Sequence, residues 1–245
     1  MSGHALARSF ESIGDDYDRY RPGFPEASAS AIVPSVVDAV LDLGAGTGKF
    51  TERLVGRARR TYAVEPSERM LQVLRSKLPG VEALIGTAEC IPVAEASMDV
   101  VTVAQAFHWF ERETASAEIS RVLVPGGTLG LLWNHSDPMC VWDRACHRIA
   151  HPAVGDEDLT TDSADSELPG FVLVRREELH WTEPITREHY LRRWSTVSSL
   201  LIADDATRTR MLGEIGQVLD EAVETRGREE FDLPQVTEVY VYRRI

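Results

Sequence analysis

The chain has 245 residues, 43% hydrophobic and 27% charged, with a formal net charge of −13. That length fits one domain, or one domain with a sizeable insertion, and buries a substantial core without staples. The acidic balance argues against nucleic acid as a substrate, because phosphate binding needs clustered Lys and Arg, and no run approaches the roughly 18 apolar residues of a membrane span.

Residues 8 to 20 set Phe10, Ile13, Tyr17 and Tyr20 on one helical stripe, and Arg21-Pro-Gly-Phe-Pro25 ends that helix. The stripe suits either a helix packed on the core or a lid over a ligand. Pro25 to Val33 reads as a short helix with proline in its first turn. Ala39 to Leu43 then reads as a buried strand, apolar except for Asp42. Gly44, Gly46 and Gly48 follow, and a helical pattern continues through Phe50, Leu54 and Val55. Strand, glycine turn and helix in this order expose main chain to a nucleotide-like ligand in an open α/β sheet. Glu65 closes the next apolar run, Thr61 to Val64, where an acid can accept hydrogen bonds from both hydroxyls of a ribose. The third glycine comes one residue too early for the dinucleotide pattern G-x-G-x-x-G, and Lys49 stands in its place.

The run from Pro66 to Arg75 reads as a helix capped by Ser67, with Met70, Leu71 and Leu74 on its apolar face. Pro79-Gly80 turns the chain into a third strand, Val81 to Ile85. Asp99 to Ala104 is a near-continuous apolar run, as at the centre of a parallel sheet. Its C-terminal end carries Gln105, Ala106, His108 and Trp109, and ligands of open α/β sheets bind outside such ends. Glu113 to Val122 is an amphipathic helix, and Val124-Pro-Gly-Gly127 is expected to turn tightly into the strand Thr128 to Asn134.

Beyond this point the pattern is less regular. Pro138 to Ala150 reads as a helix, and 156–167 as an acidic, solvated loop. His135, Cys140, Cys146, His147 and His151 match no zinc spacing, so no metal is expected. Three cysteines, odd in number, and an N-terminus without a signal-peptide core suit free thiols and a cytoplasmic protein. Phe171 to Trp181 reads as a strand, and Thr186 to Trp194 and Asp204 to Thr225 as helices, the latter with a stripe of Leu212, Ile215, Leu219 and Val223. Pro234 to Tyr242 alternates strictly, as an antiparallel edge strand would.

Several segments together carry a family resemblance. G-x-G-x-G after Asp42-Leu-Gly44 resembles motif I of the class I S-adenosylmethionine-dependent methyltransferases. Y-D-x-Y-R-P at 17–22, G-x-A-E-x-I-P at 86–92, A-Q-A-F-H-W-F at 104–110 and L-x-P-G-G at 123–127 resemble the trans-aconitate methyltransferase-like, or type 11, small-molecule group. The similarity spans about residues 10 to 134.

The resemblance implies an α/β fold, a Rossmann-like doubly wound sheet of about seven strands. Most are parallel, with an antiparallel C-terminal strand and helices on both faces. It implies a single domain over 1–245, with an N-terminal lid helix at about 8–24 and a substrate-side insertion at about 135–200. The cofactor implied is S-adenosylmethionine, with S-adenosylhomocysteine as product. Its contacts would come from Tyr17, Arg21, Asp42, Gly44, Ala45, Gly46, Gly48, Glu65, Pro66 and Met70. The adenine loop would add Thr87, Ala88 and Glu89, and the strand end Ala104, Gln105, Ala106 and Trp109. An adenine edge offers a donor beside acceptors, so one carboxylate and one backbone N–H suffice to read it.

The acceptor expected is a small molecule, either a carboxylate or a hydroxyl. A carboxylate needs no base, whereas a hydroxyl needs one, and His108 is the candidate. Arg21, Arg187, Arg192 and Arg193 are candidate partners for a carboxylate. The alternatives are a non-catalytic protein that binds the same cofactor and an NAD-dependent oxidoreductase, against which the displaced glycine speaks. The oligomeric state stays open.

Overall fold

The apolar runs supply the strands of a single sheet: β1 (Val37–Leu43), β2 (Ala58–Glu65), β3 (Glu82–Ile85), β4 (Met98–Ala104), β5 (Leu123–Ser136), β6 (Phe171–Thr186) and β7 (Glu230–Arg244). In the computed structural model, which describes residues 19–152 and 167–245, these seven stand in the order β3-β2-β1-β4-β5-β7-β6. The pairs β1–β2, β1–β4, β2–β3 and β4–β5 are parallel. β7 is antiparallel: Ile245 N, at its end, donates to Gly170 O, at the start of β6. The fold is the mostly parallel, Rossmann-like sheet that the resemblance implied.

Parallel central strands are buried on both faces, so their residues divide between two cores by a period of two. Val40, Val100, Leu132, Val239 and Val241 face α1 (Glu26–Ile32) and α2 (Thr51–Leu54). Leu41, Leu43, Val101, Val103, Leu131 and Trp133 pack with Ala115, Ile119 and Val122 of a later helix, α4 (Arg112–Val122). Leu71 and Leu74 of α3 (Glu68–Lys77) cover Ala63 of β2. Ser67 caps α3, as expected, by accepting from Met70 N at 3.4 Å.

The described residues divide into two compact units. One holds 23–134, 167–179 and 237–245, and therefore most of the sheet. The other holds 19–22, 135–152 and 180–236. Its helices are α5 (Val141–Ala150), α6 (Arg187–Ser195), α7 (Ser198–Ile202) and α8 (Asp205–Glu221). They enclose a second core around Cys146, Tyr190, Trp194, Ile215 and Leu219, in which the Tyr190 hydroxyl donates to Asp143 Oδ1 at 2.5 Å. Burial pushes the thiols of Cys140 and Cys146 up to about 11 and about 12, as for small apolar side chains in a core. Of the expected helix at about 8–24, residues 8–18, including Phe10, Ile13 and Tyr17, lie outside the described residues, while Arg19 and Tyr20 are helical.

Three sequence expectations need correction. β7 lies between β5 and β6, so it is interior and β6 is the edge. Two of its polar residues have partners within the chain: the Thr237 hydroxyl donates to Asn134 Oδ1, and Glu238 pairs with Arg176. The Pro125-Gly-Gly segment is a bulge within one long strand: Met98 faces Leu123, yet Val100 faces Thr128. The stripe on α8 is Met211, Ile215 and Leu219, and Val223, 73% exposed, lies beyond the helix end. The helical pattern expected through Phe50, Leu54 and Val55 is present as a single turn, Thr51–Leu54, flanked by Phe50 and Val55 and ended before Gly56, whose φ is +84°.

Candidate functional site

The strand order reverses between β1 and β4, the connections running outward from this pair to either side. At such a switch point the carboxyl ends of the two strands open a crevice that nothing in the sheet fills. β1 leads there into Gly44–Gly48, and β4 into Gln105–Trp109.

The glycines act differently. Gly44 has φ +71°, and a Cβ on it would stand 2.7 Å from the Ala106 Cβ and 3.2 Å from Phe110 Cζ. It is small so that the two loops can touch. Gly46 has φ +54°, and a Cβ there would meet only the Met70 sulfur, at 3.8 Å, so its main chain stays open to a ligand. Gly48 makes room for Leu74 and Leu78 instead. Gly44→Ala is expected to cost about 2 kcal/mol of stability, since a left-handed backbone alone costs a Cβ-bearing residue roughly 1–2 kcal/mol. Urea unfolding measures it, and an unchanged midpoint would refute the reading.

The loop hangs on two buried acids. Glu65, 8% exposed, accepts from Gly46 N on Oε2 and from Ser67 N on Oε1, both at 3.0 Å. Burial raises its carboxyl above the ordinary value, and the two N–H donors oppose that rise. Each carboxylate oxygen keeps a second lone pair for an incoming hydroxyl. Asp42, 1% exposed, accepts from the Thr51 hydroxyl at 2.6 Å and from the Thr102 hydroxyl at 3.1 Å. Burial pushes its carboxyl up to about 6, partly relieved by those hydroxyls and aggravated by the charge of Glu65. It ties β1 to β4 and to the first turn of α2. Ala45 N and Gly44 N both donate to Val64 O, which binds the loop to the end of β2. Pro66 follows Glu65, and Met70, buried, packs beside Gly46.

The 86–93 loop is held from α4. Arg121 donates to Ile91 O and Val93 O, and Glu118 accepts from Ile91 N. Thr87 is exposed, Ala88 is buried, and Glu89 Oε1 accepts from Glu111 N, which links this loop to the turn after Trp109. Ala104 ends β4. Gln105 next takes φ +57°, in the left-handed region where a side chain is strained, and such outliers gather at functional sites. The chain then makes a 3-10 turn, Phe107–Trp109, that sets the His108 ring 4.7 Å from that of Trp109, tilted by 49°, and leaves the indole 46% exposed.

The sheet-bearing unit holds every expected site residue except Tyr17, which lies outside the described residues, and Arg21, which belongs to the other unit. Direct contacts join Gly46 to Glu65, Gly44 to Ala106, and the Glu89 loop to the turn after Trp109. Arg21 donates there to Thr196 O. The other candidate arginines belong to that unit as well: Arg193 donates to Glu183 and Tyr20 O, Arg187 to Gly216 O, and Arg192 lies 4.0 Å from Glu188. Thr51, Thr102 and Phe110 were missed from sequence. A buried acid in an apolar strand was the available signal for the two hydroxyls, because such a group demands partners.

A family model described as a methyltransferase domain matches residues 41–131. An uncharacterised methyltransferase of Mycobacterium tuberculosis is 40% identical over 215 residues, covering 87% of this chain and 86% of its own length. One of Schizosaccharomyces pombe is 28% identical over 247 residues, covering 98% of each. A solved structure from Anaeromyxobacter dehalogenans, assigned to a type II methyltransferase, superposes with a TM-score of 0.70 at 25% identity, over 91% of this chain and 97% of that one.

Proposed function

Since the chain belongs to the class I S-adenosylmethionine-dependent methyltransferases of the type 11 group, we propose that it methylates an oxygen of a small-molecule acceptor, either a carboxylate or a hydroxyl. The observation that carries the reading is the joint placement of an open Gly46 main chain, where β1 ends beside β4, and a two-point-anchored Glu65, at the end of the neighbouring β2.

The cradle fits the donor in three respects. Glu65 has lone pairs left for a ribose diol, Gly46 leaves room beside the Met70 sulfur, and Ala88–Glu89 offer an N–H and a carboxylate within one loop. S-adenosylmethionine would supply a methyl on a sulfonium, which leaves as a neutral thioether when an acceptor oxygen attacks in line. The chain's own part is orientation and exclusion of water, worth several kcal/mol when reacting atoms are held in line. Gln105 to Trp109 would wall the methyl side, with the Trp109 indole able to face a cation. A net charge of −13 supports a small acceptor over a nucleic acid.

The test is transfer of a labelled methyl group across a panel of small acids and hydroxyl compounds, beside calorimetry with S-adenosylhomocysteine. Binding without transfer to any acceptor would favour a non-catalytic cofactor-binding protein. His108→Ala separates the two acceptor chemistries. A hydroxyl acceptor predicts a loss of about 10²-fold or more, with the wild-type rate falling as acidity rises through the imidazole range. A carboxylate acceptor predicts a loss under about tenfold and parallel pH profiles, because the acceptor is already ionised.

A further inference from the structure

Asn134 stands near the end of β5 and has no assigned role, yet its groups serve three partners. Its Nδ2 donates to Gly23 O at 2.8 Å, and its Oδ1 accepts from the Thr237 hydroxyl of β7 at 2.6 Å. Its backbone carbonyl accepts from Gln105 Nε2 at 3.0 Å. The amide orientation is settled by these partners, since a carbonyl can only accept and so requires the NH2 end. Gly23 is itself a firm anchor. Its neighbour Phe24 is buried edge-on to Phe50 at 5.2 Å, and Arg53 Nε donates to Phe24 O at 2.8 Å. Thr237 is fully buried in an interior strand.

Gln105 is the residue in need of such support. Its φ of +57° is unfavourable for a side-chain-bearing residue, and two bonds hold it: its N–H to Leu132 O at 2.9 Å and its side chain to Asn134 O. Both acceptors belong to the last part of β5. Removing the Asn134 side chain leaves the carbonyl in place but frees it from its two clamps.

We propose that Asn134 is a positioning residue for methyl transfer, acting through Gln105 on the Ala106–Trp109 wall of the site. The proposal rests on the reading of that site as a methyl-transfer centre. In this role Asn134, whose side chain is engaged at both ends by Gly23 and Thr237, acts through Gln105 rather than by contact with donor or acceptor. Its effect therefore falls on alignment, which lowers kcat, more than on donor binding.

The experiment compares wild type, Asn134→Ala and Asn134→Asp, all assayed well below their melting temperatures. Asn134→Ala is expected to lower kcat about tenfold while the Kd for S-adenosylhomocysteine changes less than about threefold, in keeping with the loss of two buried hydrogen bonds. Asn134→Asp adds a signature that lost stability would not give. A carboxylate cannot donate to Gly23 O, whereas a carboxylic acid can. Its kcat relative to wild type should rise as pH is lowered toward the carboxyl range, while the ratio for the alanine variant stays flat. Amide exchange at Gln105 supplies a readout free of turnover, expected to quicken about tenfold in the alanine variant. An unaltered kcat with unaltered Gln105 exchange would overturn the proposal, as would a pH-independent ratio for the aspartate variant. Wild type that fails to bind S-adenosylhomocysteine would instead sink the methyl-transfer reading, and Gln105 exchange would still decide the positioning role.

Discussion

Glu65→Gln is expected to weaken S-adenosylhomocysteine binding about 100-fold. Both carboxylate oxygens already accept a backbone N–H, from Gly46 and Ser67, so the acid is fixed in place before any ligand arrives. Glutamine has one accepting oxygen and one NH2. Whichever way the amide turns, a donor faces either Gly46 N or Ser67 N, and one ribose hydroxyl loses its acceptor. A hydrogen bond to a charged group is worth about 1.5–3 kcal/mol, so roughly 2.7 kcal/mol is lost, which is a factor of about 100. The pH dependence supplies a second reading. Burial raises the Glu65 carboxyl, so the ligand-free protein takes up a proton there more readily than an exposed glutamate would. Wild-type affinity should fall as pH drops into the carboxyl range, and the glutamine variant should show no such fall. Calorimetry at neutral and mildly acid pH gives both results. Affinities within threefold of each other at neutral pH would remove Glu65 from the ribose site.

The parts of the molecule legible in the sequence are those in which one local force dominates. β1 and β4 sit at the sheet centre, buried on both faces over most of their length. They therefore appear as near-continuous apolar runs broken chiefly by Asp42 and Thr102, and short runs of that kind between turn signals read as strands. The glycine loop is legible because positive φ at three alternating positions leaves few other residues possible. β7 is the converse case. Its alternation reads as an edge strand, yet the strand is interior, and its Thr237 and Glu238 find partners in an asparagine 103 residues away and an arginine 62 residues away. Periodicity carries no trace of such distant partners.

The site shows the same division. Residues meant for backbone geometry, such as Gly44 and Gly46, were readable from spacing. Residues whose task is to hold others were not: Thr51 and Thr102 lie in different elements from Asp42, and Asn134 has meaning only beside Gln105, Gly23 and Thr237. The arginines gave the least, because the same guanidinium serves equally well to bind a substrate or to brace its own fold. Arg193, enclosed by Glu183 and Tyr20 O, is braced in this way.

Asp42→Asn should stabilise the protein at neutral pH while leaving cofactor affinity nearly intact. The sign follows from a carboxyl pushed from 3.8 in the unfolded chain to about 6 in the fold. Below 3.8 both states carry the proton, and Asp42 adds no pH dependence. Between 3.8 and about 6 the unfolded chain releases its proton and the folded one keeps it, so stability falls as pH rises. Above about 6 both are ionised and the penalty is constant. With about 1.4 kcal/mol for each tenfold step, the penalty comes to about 3 kcal/mol. Asparagine does not titrate, so its stability relative to wild type should improve by about that amount between pH 3.5 and pH 7.5. Its oxygen can still accept from Thr51, and its NH2 can donate to Thr102, whose hydroxyl is free to turn to Leu41 O at 3.3 Å. The tie between β1, β4 and α2 therefore survives. Since Asp42 is enclosed and both its oxygens are engaged within the chain, the Kd for S-adenosylhomocysteine should stay within about threefold. Urea unfolding across pH measures the first effect and calorimetry the second. A 100-fold loss of affinity in a variant that folds as well as wild type would mean that Asp42 meets the ligand itself.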